Sequence, residues 1–158
     1  MRHIMTMLLL LTATLISLPA NAQVKDLEKY SKTDGVSYAY ISKTMLQLAS
    51  SEKIGIPGLN MKKKELIDKI SGIQIISTEK KASSSKLKKE IESITSRDKY
   101  ETLMEMGEEE KLVIYYKSGK KQSAIIMVTE EDSGLSIIAI TGAFSPKDVK
   151  DLGSSRQQ

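Results

Sequence analysis

The sequence predicts an α+β domain: a mainly antiparallel sheet whose C-terminal part is a four-stranded meander, packed with two to three helices. Two observations carry this. Between Tyr100 and Thr141, four strand-like runs are separated by short polar breaks containing Gly107, Gly119 and Gly134, and runs joined only locally pair most economically as antiparallel neighbours. Upstream, apolar residues recur at helical spacing, at Leu66, Ile67 and Ile70 and at Leu87, Ile91 and Ile94. The second set falls at i, i+4 and i+7, one stripe of a helix.

Taken in order, the chain opens with an address. Residues 1 to 22 set Arg2 and His3 before an apolar run from Met7 to Leu18 and end in Ala20-Asn21-Ala22, the layout of a secretory signal peptide cut before Gln23. That run is about 12 residues, whereas a membrane-spanning helix needs about 20. The expected product is a single domain over residues 23 to 158, periplasmic or secreted, without an integral membrane span. No Cys follows the apolar run, so a lipoprotein anchor is excluded. Intact mass of the protein from its native host checks this expectation, and a mass retaining residues 1 to 22 would refute it.

Leu27 and Tyr30 suggest a short amphipathic turn before Asp34-Gly35, a turn signal. Val36, Tyr38 and Tyr40 alternate with Ser37, Ala39 and Ile41 in the period-two pattern of a strand. Ser42 or Thr44 is placed to cap a helix running through Leu48, which Ile54-Gly-Ile-Pro-Gly58 breaks. A helix with a cationic outer face follows Lys62-Lys63-Lys64 and is expected to end at Gly72. Ile73, Ile75 and Ile76 form a short β-rich run, and the long helix through Ile94 is expected to start near caps at Ser83-Ser84-Ser85. Strands are expected over 100–106, 112–116, 123–129 and 135–141.

Composition is informative mainly by exclusion. The chain has no Cys, and its one His is His3, in the leader. The mature protein thus lacks imidazole and thiol, which excludes His-dependent triads, cysteine nucleophiles and zinc or haem held by those ligands. No cofactor and no metal is expected. A net charge of +4, from 24 basic and 20 acidic residues, describes a mixed surface rather than a polycation. Lys86, Lys88 and Lys89 are interleaved with Glu90 and Glu92 and few aromatic residues accompany them, so a solvated face is expected and no nucleic-acid partner.

The remaining candidates are ordinary structure on this reading. Ser83-Ser84-Ser85-Lys86 fits an S-x-x-K pattern, but the pattern recurs at Ser77 to Lys80 and at Ser96 to Lys99, and a helix cap explains it. Ser42-Lys43 stands at a strand-to-helix turn, where capping again competes with nucleophile activation. Glu108-Glu109-Glu110 and Glu130-Glu131-Asp132 lie in expected hairpin turns, where solvated charge is the default over calcium binding or glycoside cleavage. No residue is assigned a catalytic role.

The last three strands carry the one positive signal. Leu112 to Tyr116, Ala124 to Val128 and Ile137 to Ile140 are apolar without interruption, whereas a sheet with one wet face alternates. Both faces should therefore be covered. If Lys117 to Lys121 closes the hairpin, Leu112, Ile114, Ala124 and Ile126 share one face, and Val113, Tyr115, Ile125 and Met127 share the other. The longer helices would cover one face, and a protein partner or second copy is expected on the Val113, Tyr115, Ile125 and Met127 surface.

Glu28-Lys29-Tyr30-Ser31-Lys32-Thr33-Asp34-Gly35-Val36, followed by Tyr40-Ile-Ser-Lys43, Gly72 to Ser77, Tyr100 to Met106 and Gly142, resembles the Bacteroidetes exported proteins grouped as domain of unknown function 4252. The resemblance spans most of the mature chain and implies a small periplasmic or envelope protein with no established reaction, so no catalytic residue is carried over. It also implies relatives that are often lipoproteins, from which this chain departs in lacking the anchor cysteine, and an association with envelope-responsive sigma-factor systems. The expected function is that of a non-catalytic exported envelope protein acting through protein contacts, in envelope stress or regulation. The alternative is a periplasmic small-ligand-binding protein with Tyr38, Tyr40 or Tyr116 among its contacts. A Ser-Lys or carboxylate hydrolase comes last.

Overall fold

The computed structural model describes residues 24–52, 64–108 and 110–148. The expected leader, the break at Ile54 to Gly58 and Lys62 and Lys63 lie outside them. In chain order the elements are α1 (Lys25–Glu28) with a 3-10 turn (Lys29–Lys32), β1 (Ser37–Ser42), α2 (Lys43–Glu52), α3 (Lys64–Lys69), β2 (Ile70–Thr78), α4 (Lys81–Arg97), β3 (Glu101–Met106), β4 (Lys111–Lys117), β5 (Ser123–Glu131) and β6 (Gly134–Gly142). All strands join one sheet in the order β1-β2-β6-β5-β4-β3, and every neighbouring pair is antiparallel. The α+β class and the C-terminal meander stand as expected. The sheet is larger than the meander, because β6 also pairs with β2 and so admits β1 and β2.

The connection through α4 explains this order. The chain leaves β2, second from one edge, and must reach β3 at the far edge, four strand spacings or about 19 Å away. A helix of 17 residues is about 25 Å long, enough to cross the sheet, and the meander then returns strand by strand until β6 meets β2. At the end of α4, Lys99 takes φ 56, and Tyr100 N–H donates to Thr95 O at 2.9 Å, turning the chain into β3.

Directly opposed residues in a sheet point to the same side, so the register defines two faces. On face A, Leu87, Ile91 and Ile94 of α4 pack with Leu27 and Tyr30 against Ile76, Ile126, Val128, Leu135, Ile137 and Ala139. On face B, Leu46 of α2, Ile67 of α3 and Phe144 pack against Ile73, Ile114, Tyr116, Ile125 and Ile140. Both faces thus carry covers from the chain itself. The division differs from expectation: the long helix and the N-terminal segment share face A, and the middle helices take face B.

Three local expectations are corrected. Gly72 does not end a helix; α3 stops at Lys69 and Gly72 lies inside β2, beside a register shift between Ile70 and Gly72. The serines at 83 to 85 are not caps. The N-cap position is Lys80, and Ser84 and Ser85 sit inside α4, donating back to Lys80 O at 3.2 Å and Lys81 O at 3.1 Å, the intrahelical bond open to serine hydroxyls. Lys80 N–H instead donates to Thr78 Oγ1 at 3.2 Å, and Thr78 Oγ1 donates to Gly35 O at 2.7 Å. Gly35 itself takes φ 73 beneath the Lys80 side chain, a turn conformation and a close approach that suit glycine. Ser42 does cap α2, accepting from Met45 N–H at 3.3 Å.

The third correction concerns the expected interaction surface. Val113 opposes Val128, Tyr115 opposes Ile126, and Ile125 opposes Tyr116. Val113 and Tyr115 therefore lie on face A, while Ile125 and Met127 lie on face B. The turn is longer than the expected Lys117 to Lys121, since the opposed pair nearest to it is Lys117 and Ala124, which encloses residues 118–123. The register moves by an odd number of residues, and an odd shift sends every side chain of one strand to the other face.

Candidate functional site

Among the described residues, face B is covered over part of its area only, and its register rows show where that cover stops. The row Ile41, Ile73, Ile140, Ile125 and Tyr116 lies under the helices, and all but half-buried Ile41 are buried. Two residues along each strand comes a second row, Ala39, Ile75, Ile138, Met127, Ile114 and Met104, running across all six strands. It is apolar throughout, yet only Ile114 is buried; Ile75, Ile138 and Met127 are half-buried and Ala39 and Met104 are exposed. The third row is Ser37, Ser77, Ser136 and Thr129, continued by Leu112 and Met106.

The second and third rows form an open shelf, apolar beside hydroxylic. Four hydroxyls stand on four adjacent strands, about 4.8 Å from one to the next. None of the four is spent on a side-chain hydrogen bond within the described residues. They line an open cleft of about 600 Å³ whose rim carries Lys80 and Glu131. On face A, the space between α4 and β4–β5, lined by Val113, Tyr115 and Val128 among others, is about 70 Å³, enough for about two waters.

The cover over the closed part of face B is held at its C-terminal side by a polar clasp. Ala143 N–H donates to Lys69 O at 2.8 Å, the Lys69 ammonium donates to Asp148 Oδ1 at 2.7 Å, and Ser145 donates from N–H and Oγ to Asp148 Oδ2 at 2.8 and 2.9 Å. These donors hold the Asp148 carboxyl at about 2, with Lys69 the leading cause. Between the clasp and β6 lies Phe144, buried in the face B core.

The expected candidates do not converge. Tyr38 and Tyr40 stand on face A through their opposition to Ile76 and Gln74, whereas Tyr116 is buried on face B with its hydroxyl 3.4 Å from Ser123 Oγ. Ser42 is engaged as a cap, and Glu130 pairs with Lys88 at 2.6 Å. Among the described residues, no three His, Cys, Asp or Glu side chains gather where they could hold a metal ion, and no helix is long and apolar enough to cross a membrane.

Two features escaped the sequence reading. The serine and threonine row is invisible until the register is known, because its members are spread between residues 37 and 136. Gln74 is the other. Buried in the middle of β2, it accepts from Val24 N–H at 2.7 Å and donates to Val24 O at 3.3 Å and to the Tyr38 hydroxyl at 3.1 Å, tying the N-terminal segment to face A. A lone Gln inside the run Ile73 to Ile76 was the available signal, since a buried amide needs partners.

Compared with known proteins, residues 30–152 match the family described as Domain of unknown function (DUF4252). No curated protein and no solved structure matches the chain.

Proposed function

The chain belongs to this family, whose description names no reaction, and from that premise we propose a non-catalytic exported protein of the bacterial cell envelope that docks a partner protein on the open shelf of face B. The observation that carries the reading is the apolar row from Ala39 to Met104, of which only Ile114 is buried, beside a row of Ile73, Ile140, Ile125 and Tyr116 that the helices close. Contiguous apolar surface of this kind marks an interaction site on a soluble chain. With the reading go an origin among the Bacteroidetes, a periplasmic or secreted location after loss of residues 1 to 22, and a part in envelope stress or regulation. The absence of imidazole and thiol from the mature sequence supports binding over catalysis.

The contact surface moves accordingly. Met127 keeps its place in it, joined by its direct neighbours Ile138 and Ile114, and Val113 and Tyr115 leave it for the face A core. A photo-crosslinking side chain at Met127, compared with one at Tyr115, tests the reading in the native host. A specific adduct from Met127 and none from Tyr115 is expected; adducts from neither, or equally from both, would overturn it.

A second reading, a small-ligand binder, is favoured by the four hydroxyls over the 600 Å³ cleft. Their even spacing suits a neutral, hydroxyl-rich molecule. Native mass spectrometry of the unsupplemented protein separates the two readings, since a bound small mass belongs to the second alone.

A further inference from the structure

The N-terminal segment closes part of face A, and it does so from its first described residue. Leu27 is fully buried, and Val24 and Tyr30 are only 9 and 8% exposed, in one core with α4 and the sheet. Both main-chain groups of Val24 are taken. Its N–H donates to Gln74 Oε1 at 2.7 Å, and its carbonyl accepts from Gln74 Nε2 at 3.3 Å and from Leu27 N–H at 2.9 Å. Two ion pairs fasten the rest, Arg97 with Asp26 at 2.6 Å and Lys29 with Glu90 at 2.8 Å. Residues 24–32 thus form a strap held by core burial, hydrogen bonds and charge together.

The expected cut falls between Ala22 and Gln23, which leaves one residue before Val24. One extended residue spans about 3.5 Å, so no linker separates the scissile bond from the docked strap. A peptidase holds its substrate extended on both sides of that bond and reads it through main-chain N–H and C=O groups. Those of Val24 are already bonded to Gln74, and from Lys25 the chain is helical. A docked strap therefore offers the enzyme neither the free amide nor the extended shape that it binds.

We propose that docking of the strap and removal of the leader exclude one another, so that the Ala22–Gln23 bond is hydrolysed while residues 24–32 stand off the sheet, and face A closes on the cut chain. In the cut, water adds its hydroxyl to the Ala22 carbonyl carbon and its proton to the Gln23 nitrogen as the amide breaks. Until the strap docks, Gln74 lacks its partners at Val24, and Leu27 and Tyr30 are missing from the core. Processing and completion of the fold become one ordered sequence, with the docked strap an inhibitory contact against the cut. The inference rests on the export reading above and stands apart from whatever the shelf holds.

The full-length chain, folded in detergent micelles and treated with a purified bacterial signal peptidase, reads this order as a cutting rate. Cutting that proceeds only from an opened form follows the population of that form. An insertion of about eight Gly and Ser residues after Gln23 carries the bond clear of the fold without touching the core. It is expected to raise the rate about tenfold or more. Gln74→Leu, which removes the acceptor of Val24 N–H, is expected to speed cutting of the chain without the insertion and to change nothing once the insertion is present. Equal rates with and without the insertion would overturn the proposal, as would a Gln74→Leu effect that persists in the inserted chain. If Gln74→Leu fails to fold, the insertion decides by itself. A native protein whose intact mass retains residues 1 to 22 would sink the export reading and this inference together, whereas a chain cut after Ala22 at a rate that the insertion leaves unchanged would sink this inference alone.

Discussion

β6 and β3 are the two ends of one meander and have opposite fates. In β6, Ile137 and Ile140 are fully buried and Leu135 and Ala139 nearly so; in β3 every residue is exposed, although Leu103, Met104 and Met106 are as apolar as their counterparts. The difference lies in position. β6 is the last strand made, yet it is inserted between β2 and β5 and has a neighbour on each edge and a core on each face. β3 follows the crossing helix and is left at the rim. Burial here reports rank in the sheet, which neither composition nor chain order contains.

Breaking the centre should cost most. Ile140→Ala removes a side chain from the row under α2 and α3, and urea unfolding is expected to show a loss of about 2–5 kcal/mol, transfer and cavity together. Next comes the tie between the centre and the N-terminus. Gln74→Leu is apolar and of similar size, but it leaves Val24 N–H without its acceptor, and a loss of about 1–3 kcal/mol is expected. Hydrogen exchange should rise at Val24 in the same variant.

The start of the edge strand has a pH signature. Burial raises the Tyr100 hydroxyl to about 12, with Asp98 and Asp26 adding to the shift. A folded-state value above the unfolded one means that the folded form favours the neutral phenol. The stability it contributes is complete below the unfolded value near 10 and is lost as pH rises through about 12. The urea midpoint should therefore fall between pH 10 and 12, and Tyr100→Phe should flatten that decline. An equal slope in the variant would remove Tyr100 from the account. Least affected is the rim itself. Met106→Ala, at 56% exposure, is expected to change stability by no more than about 0.5 kcal/mol, and a loss comparable to that of Ile140→Ala would show that β3 is covered in solution.

Much of this fold is legible from residues in isolation. The stripe Leu87, Ile91 and Ile94 places α4 with its buried side inward, the alternation from Val36 to Ile41 marks β1, and Ser42 marks the start of α2, because each is a local periodicity or a local hydrogen bond. Unbroken apolar runs in β4, β5 and β6 announce a sheet with apolar side chains on both faces. Equally local signals point to caps at Ser83 to Ser85 and a stop at Gly72, and both fail, since serine also bonds back inside a helix and glycine is admitted to a strand at a register shift.

The shelf is another matter. Which of Val113, Tyr115, Ile125 and Met127 share a face depends on the length of the turn at residues 118–123, and an error of one residue exchanges the faces. Ser37, Ser77, Ser136 and Thr129 become a row only when β6 enters between β2 and β5, and the apolar row from Ala39 to Met104 exists only in that order. Periodicity and caps act over a few residues and can be read along the chain. Strand order and register are settled by contacts between residues far apart in sequence, where each choice depends on all the others, so the tertiary structure alone decided where the sheet stays open.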